Sequence, residues 1–349
     1  MTHVRLTQLD GKLPNLALMR LSAFHKARGD QVHFYRTPYR QLGEPAYLAV
    51  YGSAIFDFTA ERVRRFRSEF PDAIVGGTWD HVPGTEFRGP KVEDIIGAFA
   101  GVDYDPWPKF TASLGFSQRG CRFKCGHCGV WKKEGRAAFA AWINDIWRGE
   151  PWPKHLHLLD NDFFGVSKPL WKQQLADIRS GGFKVSFTQG INIRVITDEI
   201  AAELAATDYR DDSFAKKRLY TAWDSLGEED LFFRGVDKLE AAGVPSSHLM
   251  VYMLVGEAPD ETWAQVFHRF NRMVERGIKP FPMIYGDRGR TLPLGGLNNR
   301  IEHKTLANFQ RWVLRAQYRQ GVEFAAYRGG AKRDPLFKRQ IDMFAEAAA

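Results

Sequence analysis

Between residues 110 and 290 the chain alternates short apolar runs with longer amphipathic ones, six times over. FTASLGFS, HLHLLDND, KVSFTQGI, RLYTAWD, LMVYMLVG and KPFPMIYG read as strands. AAFAAWINDIWRG, PLWKQQLADIRSGG, TDEIAAELAAT, EEDLFFRGVDKLEAAG and DETWAQVFHRFNRMVERG read as helices between them. Such alternation builds parallel sheets, because a crossover helix must return the chain before the next strand can pair. Six units predict an α/β fold in which a parallel sheet curls into a partial (β/α)6 barrel, with ligands at the C-terminal ends of the strands.

The first hundred residues predict a smaller doubly wound unit. Leu13-Pro14-Asn15 opens a helix over LALMRLSAFHKARGD, and Gly29 stops it. QVHFYR, AYLAVYGSAIF and DAIVGGTW read as strands, with ERVRRFRSEF as a helix between the last two. Gly76-Gly77-Thr78 ends the third strand, where the glycines serve strand–helix packing or contact with a phosphate or ring. The Pro- and Trp-rich connector 103–108 separates this unit from the next, giving 1–105, 106–290 and a helical, basic segment 291–349.

Charge is uneven. The chain carries 49 Lys and Arg against 41 Asp and Glu, net +8. Residues 287–349 hold 12 Lys and Arg against 6 Asp and Glu, so +6 of that surplus lies in the last part of the chain. LANFQRWVLRAQYRQG places Arg311, Arg315 and Arg319 four apart, with Trp312 among them. Cations for phosphate and a ring for base stacking predict a nucleic-acid surface; an amphipathic helix packed on the barrel fits the same pattern. No apolar run is long enough to span a membrane and no signal-peptide pattern opens the chain, so no membrane is expected.

The chain has three cysteines, all within eight residues: Cys121, Cys125 and Cys128, a C-x3-C-x2-C loop. An odd, tightly spaced set is no disulfide framework and predicts a reducing, cytoplasmic setting. Three soft thiolates on one loop suit an iron–sulfur cluster. Zinc would need a fourth donor; His127 abuts Cys128 too closely, leaving His25 or His155. Three unrelated buried thiols are the bland alternative. Gly126 lets the loop pass close to a cluster, and Arg122 and Lys124 are expected to depress the thiol pKa values.

A C-x3-C-x2-C loop after the first strand of a βα barrel resembles the radical SAM superfamily, over about residues 110–290. The resemblance implies a [4Fe–4S] cluster on Cys121, Cys125 and Cys128, whose fourth iron takes S-adenosylmethionine (SAM). Reductive cleavage then yields a 5′-deoxyadenosyl radical that abstracts hydrogen from a substrate. It places His127 where the family has an aromatic beside the adenine, and Asp160, Asn161 and Asp162 where the methionyl ammonium is held. On the third strand end Gln189, Asn192 and Arg194 would share one face of an extended segment, with Arg194 forking onto the SAM carboxylate. On the fifth, the backbone of Val255 and Gly256 would read the adenine, Glu257 or Glu261 replacing the usual acid. Candidate catalytic residues are Asp224, Tyr252, Tyr285 and Asp287.

The N-terminal unit resembles the cobalamin-binding-like Rossmann domain that precedes some of these barrels. It lacks Asp-x-His-x-x-Gly, the source of the axial histidine, so cobalamin is not expected. With no fourth cysteine, an auxiliary cluster and a methyl-carrying cysteine are excluded. The whole pattern is similar to bacterial and phage radical SAM proteins, which implies an isomerase or base-modifying enzyme acting on a modified nucleobase in DNA. A small metabolite or peptide is the alternative substrate, and a non-enzymatic iron–sulfur or zinc protein the distant one. An electron donor such as flavodoxin or ferredoxin is the implied partner.

Overall fold

A computed structural model describes residues 2–80 and 89–329 as a mixed α/β chain of parallel sheets and helices. The N-terminal elements are β1 (His3–Gln8), α1 (Leu16–Ala27), β2 (Gln31–Tyr35), β3 (Ala49–Ala54), α2 (Ala60–Glu69) and β4 (Ile74–Gly77). Their sheet is parallel throughout, in the order β2-β1-β3-β4. Asn15 caps α1 by accepting the Leu18 N–H at 3.1 Å, where the sequence places the helix start.

The central strand β1 is not among the strands the apolar pattern predicts. Its polar Arg5, Thr7 and Gln8 are as buried as Val4 and Leu6, so no polar face marks it. Arg5 is buried because it is paired: it bridges to Glu44 and lies 3.9 Å from the Tyr35 ring centroid. Gln8 accepts from the Trp107 indole N–H at 3.2 Å, which pins the connector to the sheet.

Next come α3 (Val92–Ile96), β5 (Ser113–Gly115), β6 (Gln118–Arg119), α4 (Val130–Glu134), β7 (Ala138–Phe139) and α5 (Ile143–Ile146). The helix expected over 137–149 shrinks to the single turn of α5. Its first residues instead pair antiparallel with β6, closing a hairpin around the cysteine loop.

The five remaining predicted strands and four remaining predicted helices all form. They are β8 (His155–Leu158), α6 (Lys168–Ser180), β9 (Lys184–Phe187), α7 (Asp198–Ala205), β10 (Leu219–Ala222), α8 (Glu229–Ala241), β11 (Leu249–Val255), α9 (Trp263–Glu275) and β12 (Lys279–Ile284). Strands β5-β8-β9 and β10-β11-β12 make two parallel sheets in sequence order. The Ile191 N–H, just past β9, donates to the Tyr220 carbonyl of β10 at 2.8 Å and links the two. Leu156, Val185, Val251 and Met253 face the helical layer with Leu175, Val236 and Phe270, while Tyr220, Met250, Tyr252 and Phe281 cluster separately. Strand β11 supplies both clusters, which explains its unbroken apolar run.

The chain then forms α10 (Leu306–Leu314). Gln310 donates its side-chain amide to the Pro282 carbonyl of β12 at 2.8 Å, so α10 covers an otherwise open sheet edge. Trp312 is 5% exposed, packs against Phe267, Phe270, Phe309 and Phe324, and donates its indole N–H to Val322 at 2.8 Å. The amphipathic alternative holds, and the base-stacking role expected of Trp312 is withdrawn. The helix stops at Leu314: Arg315 caps it and Ala316 turns left-handed (φ 49°) before a 3-10 turn at Gln317–Gln320. Arg311, Arg315 and Arg319 therefore do not line one helix face. The part of the basic segment from 330 to 349 lies outside the described residues. Among the described residues, no helix is long and apolar enough to cross a membrane.

Candidate functional site

The cysteine loop is tied at its base by backbone geometry. The Cys121 N–H donates to the Gly135 carbonyl at 3.1 Å, and the Cys128 N–H to Cys125 at 3.1 Å. Gly120 sits at φ 85°, and a Cβ there would land on the Arg136 carbonyl, so only glycine lets the two ends of the loop close. The loop ends over a cavity of about 370 Å³. Phe123, Lys124, Cys125 and His127 form one wall, and Arg194, Asp224, Glu228, Leu254 and Glu257, from the ends of β9, β10 and β11, form the other.

The cations next to the cysteines do not serve the thiols. Arg122 forks onto Asp162, at 2.7 and 3.0 Å, and Lys124 lies 4.0 Å from the Trp131 ring centroid. Burial pushes the Cys121 thiol up to about 11, the reverse of the expected depression, while Cys128 is exposed. The cation at a sulfur is Arg194, whose Nη2 lies 3.8 Å from Cys125 Sγ.

Two carboxylates assigned to the SAM ammonium are spent inside the fold. Asp160 is buried and accepts the backbone N–H groups of Ser117 (2.7 Å) and Gln118 (3.2 Å), besides contacting the Ser117 hydroxyl. Burial raises its carboxyl to about 7. Asp162 is buried under Arg122 and anchors the cysteine loop. Neither lines the cavity. Asn161, half-buried, makes no side-chain hydrogen bond among the described residues.

The third strand end is not extended. Residues Ile193–Val195 form a 3-10 turn capped by Asn192, whose Oδ1 accepts both the backbone N–H and Nε of Arg194 at 3.1 Å. Arg194 Nη1 bonds Glu228. All three guanidinium nitrogens thus already have a protein partner, which leaves one further N–H on each of Nη1 and Nη2 for the SAM carboxylate contact expected of Arg194. Gln189 keeps a buried side-chain N–H group without a partner at the same strand end.

The adenine strand is likewise closed. Val255 gives its carbonyl to the Tyr285 N–H at 2.9 Å. Gly256 gives its N–H to Glu261 and its carbonyl to Arg290 at 3.0 Å. Gly256 sits at φ 87°, a left-handed conformation that favours glycine, and packs against Leu306 of α10. Glu261 also pairs with buried Arg269, so that of the two candidate acids Glu257 is the one that lines the cavity.

Among the catalytic candidates, Asp224 lines the cavity. It accepts the Leu254 N–H at 3.1 Å, stands 3.7 Å from His127 Nε2, and is raised in pKa by burial. Tyr252 is buried below, stacked on Tyr220 and donating to the Thr188 carbonyl at 3.2 Å. Asp287 is exposed and caps its own turn at Gly289, while Tyr285 is half-buried; neither lines the cavity.

Sequence pattern misses Glu228 and Arg269. Arg269 is fully enclosed and donates to the carbonyls of Trp223 and Asp224 (3.1 Å each) and Leu254 (2.9 Å), tying together two of the strand ends that build the site. Both residues sit on amphipathic stretches whose charges read as a solvated face, so nothing local marks them.

No protein-family model matches the chain, and no curated protein matches it. The chemistry of the site therefore rests on its own residues. Among the described residues no three His, Cys, Asp or Glu side chains converge on a single metal ion. A cubane spreads its ligands wider than one ion does. The three cysteines share one tied loop, and a Cβ at Gly126 would face open space. A donor set of three soft sulfurs beside a cation fits an iron–sulfur cluster.

Proposed function

We propose that the chain is a radical SAM enzyme whose strands form a partial (β/α)6 barrel around a [4Fe–4S] cluster. One observation carries the reading. The C-x3-C-x2-C loop follows the first of six sequential parallel-sheet strands and opens onto a cavity shared with three other strand ends. When bound, the cluster supplies an electron that cleaves SAM to methionine and a hydrogen-abstracting 5′-deoxyadenosyl radical. Cys121, Cys125 and Cys128 hold the cluster. Asp224, Glu228 and Glu257, facing Lys124 and Arg194, offer both signs of charge to a zwitterionic, sulfonium-bearing ligand. Phe123 and Leu254 supply the apolar part of the wall. Asp224 and His127 are the polar pair beside Cys125 that can orient a ligand hydroxyl or amine.

Anaerobic reconstitution with iron and sulfide tests this. About four irons per chain, a broad absorbance near roughly 400 nm and reductive release of 5′-deoxyadenosine from SAM are expected. Stoichiometric zinc with no uptake of iron overturns the reading.

A further inference from the structure

We propose that Arg194 sets the reduction potential of the metal centre on the cysteine loop, through a charge-assisted N–H···S hydrogen bond to Cys125. The proposal rests on the iron–sulfur reading above. Its geometry is specific. Arg194 Nη2 points at Cys125 Sγ at 3.8 Å, Nε is held by Asn192 Oδ1 at 3.1 Å, Nη1 is held by Glu228, and the guanidinium carbon lies 4.5 Å from the Phe123 ring centroid. Two side-chain acceptors and a ring fix the plane of the fork, so the third nitrogen has one direction left. This is the use of arginine that lysine cannot reproduce, because an ammonium has no such plane.

Among the described residues, the other donors to the cysteine sulfurs are backbone N–H groups, Phe123 on Cys121 at 3.4 Å and Val130 on Cys128. They are neutral dipoles. Arg194 brings a full positive charge to the sulfur in a partly buried setting, where charge interactions are less screened than in water. Reduction adds one negative charge to a thiolate-bound cluster. A cation at a ligand sulfur favours that state over the oxidised one and raises the potential. Glu228 opposes it: its carboxylate offsets part of the guanidinium charge while holding the fork in place. The two residues therefore form a tuning pair, with Arg194 pulling the potential up and Glu228 limiting the rise.

The test is an EPR-monitored redox titration of anaerobically reconstituted wild type, Arg194→Gln, Arg194→Lys and Glu228→Gln, each assayed for iron. Arg194→Gln is expected to make the cluster about tenfold harder to reduce at a fixed potential, about 59 mV for one electron. Arg194→Lys recovers part of that loss, and Glu228→Gln shifts the other way. Fully loaded proteins with coincident potentials overturn the proposal and leave the iron–sulfur reading standing. A wild type that takes up no iron overturns that reading and this proposal with it. Should Arg194→Gln fail to load, Glu228→Gln decides: a raised potential supports the pair, and an unmoved or lowered one refutes it.

Discussion

The N-terminal sheet and the two sheets that follow use the same parallel architecture, yet their strand ends differ. In the first, polar groups satisfy one another. Asp10 takes the N–H groups of Ile55 (2.7 Å) and Phe56 (3.0 Å) and the Thr59 hydroxyl (2.9 Å), and Asn15 bonds Ser53 at 2.9 Å. A Cβ on Gly77 would land on the Ala54 carbonyl. Among the described residues, a crevice of about 40 Å³ lies beside these ends, walled also by Arg119 and Lys133. In the second, the corresponding ends open into about 370 Å³ lined by charges of both signs. A doubly wound sheet supplies a place for a ligand; the pairing of its strand-end groups decides whether the place stays open.

On the proposed cluster reading, the sharpest break expected between the two regions is metal uptake. Cys121→Ala, Cys125→Ala and Cys128→Ala should each abolish iron binding, since no other thiol exists in the chain. Iron analysis after reconstitution reads this directly, and a variant that still loads about four irons removes the cluster assignment.

Next in size is Trp312→Ala, which should cost about 3–5 kcal/mol in denaturant unfolding, because the ring fills the core that seals the β12 edge. A stable variant with weakened nucleic-acid binding would restore the stacking role withdrawn above.

Two glycine substitutions sharpen the contrast. Gly77→Ala should destabilise by about 1–3 kcal/mol, with iron loading of the folded protein unchanged. Gly120→Ala carries similar strain, but at the loop's base, and should lower iron content. Equal effects of both on iron would mean that the two regions are coupled.

A further effect is a slope with pH. Native Asp160 keeps its proton to about pH 7, whereas the unfolded chain releases it near 3.8. Between those values the unfolded state binds fewer protons, so this group's contribution to stability falls as pH rises through the window. Asp160→Asn mimics the protonated acid, accepting from Ser117 and Gln118 with one oxygen and donating to the Ser117 hydroxyl. It should change Tm little at pH 5 and flatten its decline toward pH 7; an unaltered slope would place the titration elsewhere.

The alternation of apolar runs by itself determined the six strands between 110 and 290 and four of the five helices among them, because burial on one or both faces leaves a periodic mark. The cysteine spacing likewise determined which residues supply the thiols. Strand β1 escaped, since the burial of Arg5 depends on partners such as Glu44 and Tyr35, which lie some 30 to 40 residues away in sequence. The tertiary structure alone decided which charges face the cavity. Asp160, Asp162 and Glu261 look as available in the sequence as Asp224 and Glu257, but Ser117, Arg122 and Arg269 engage them from other segments. A carboxylate's availability depends on who else reaches it, and that is a property of contacts between distant parts of the chain, not of local pattern.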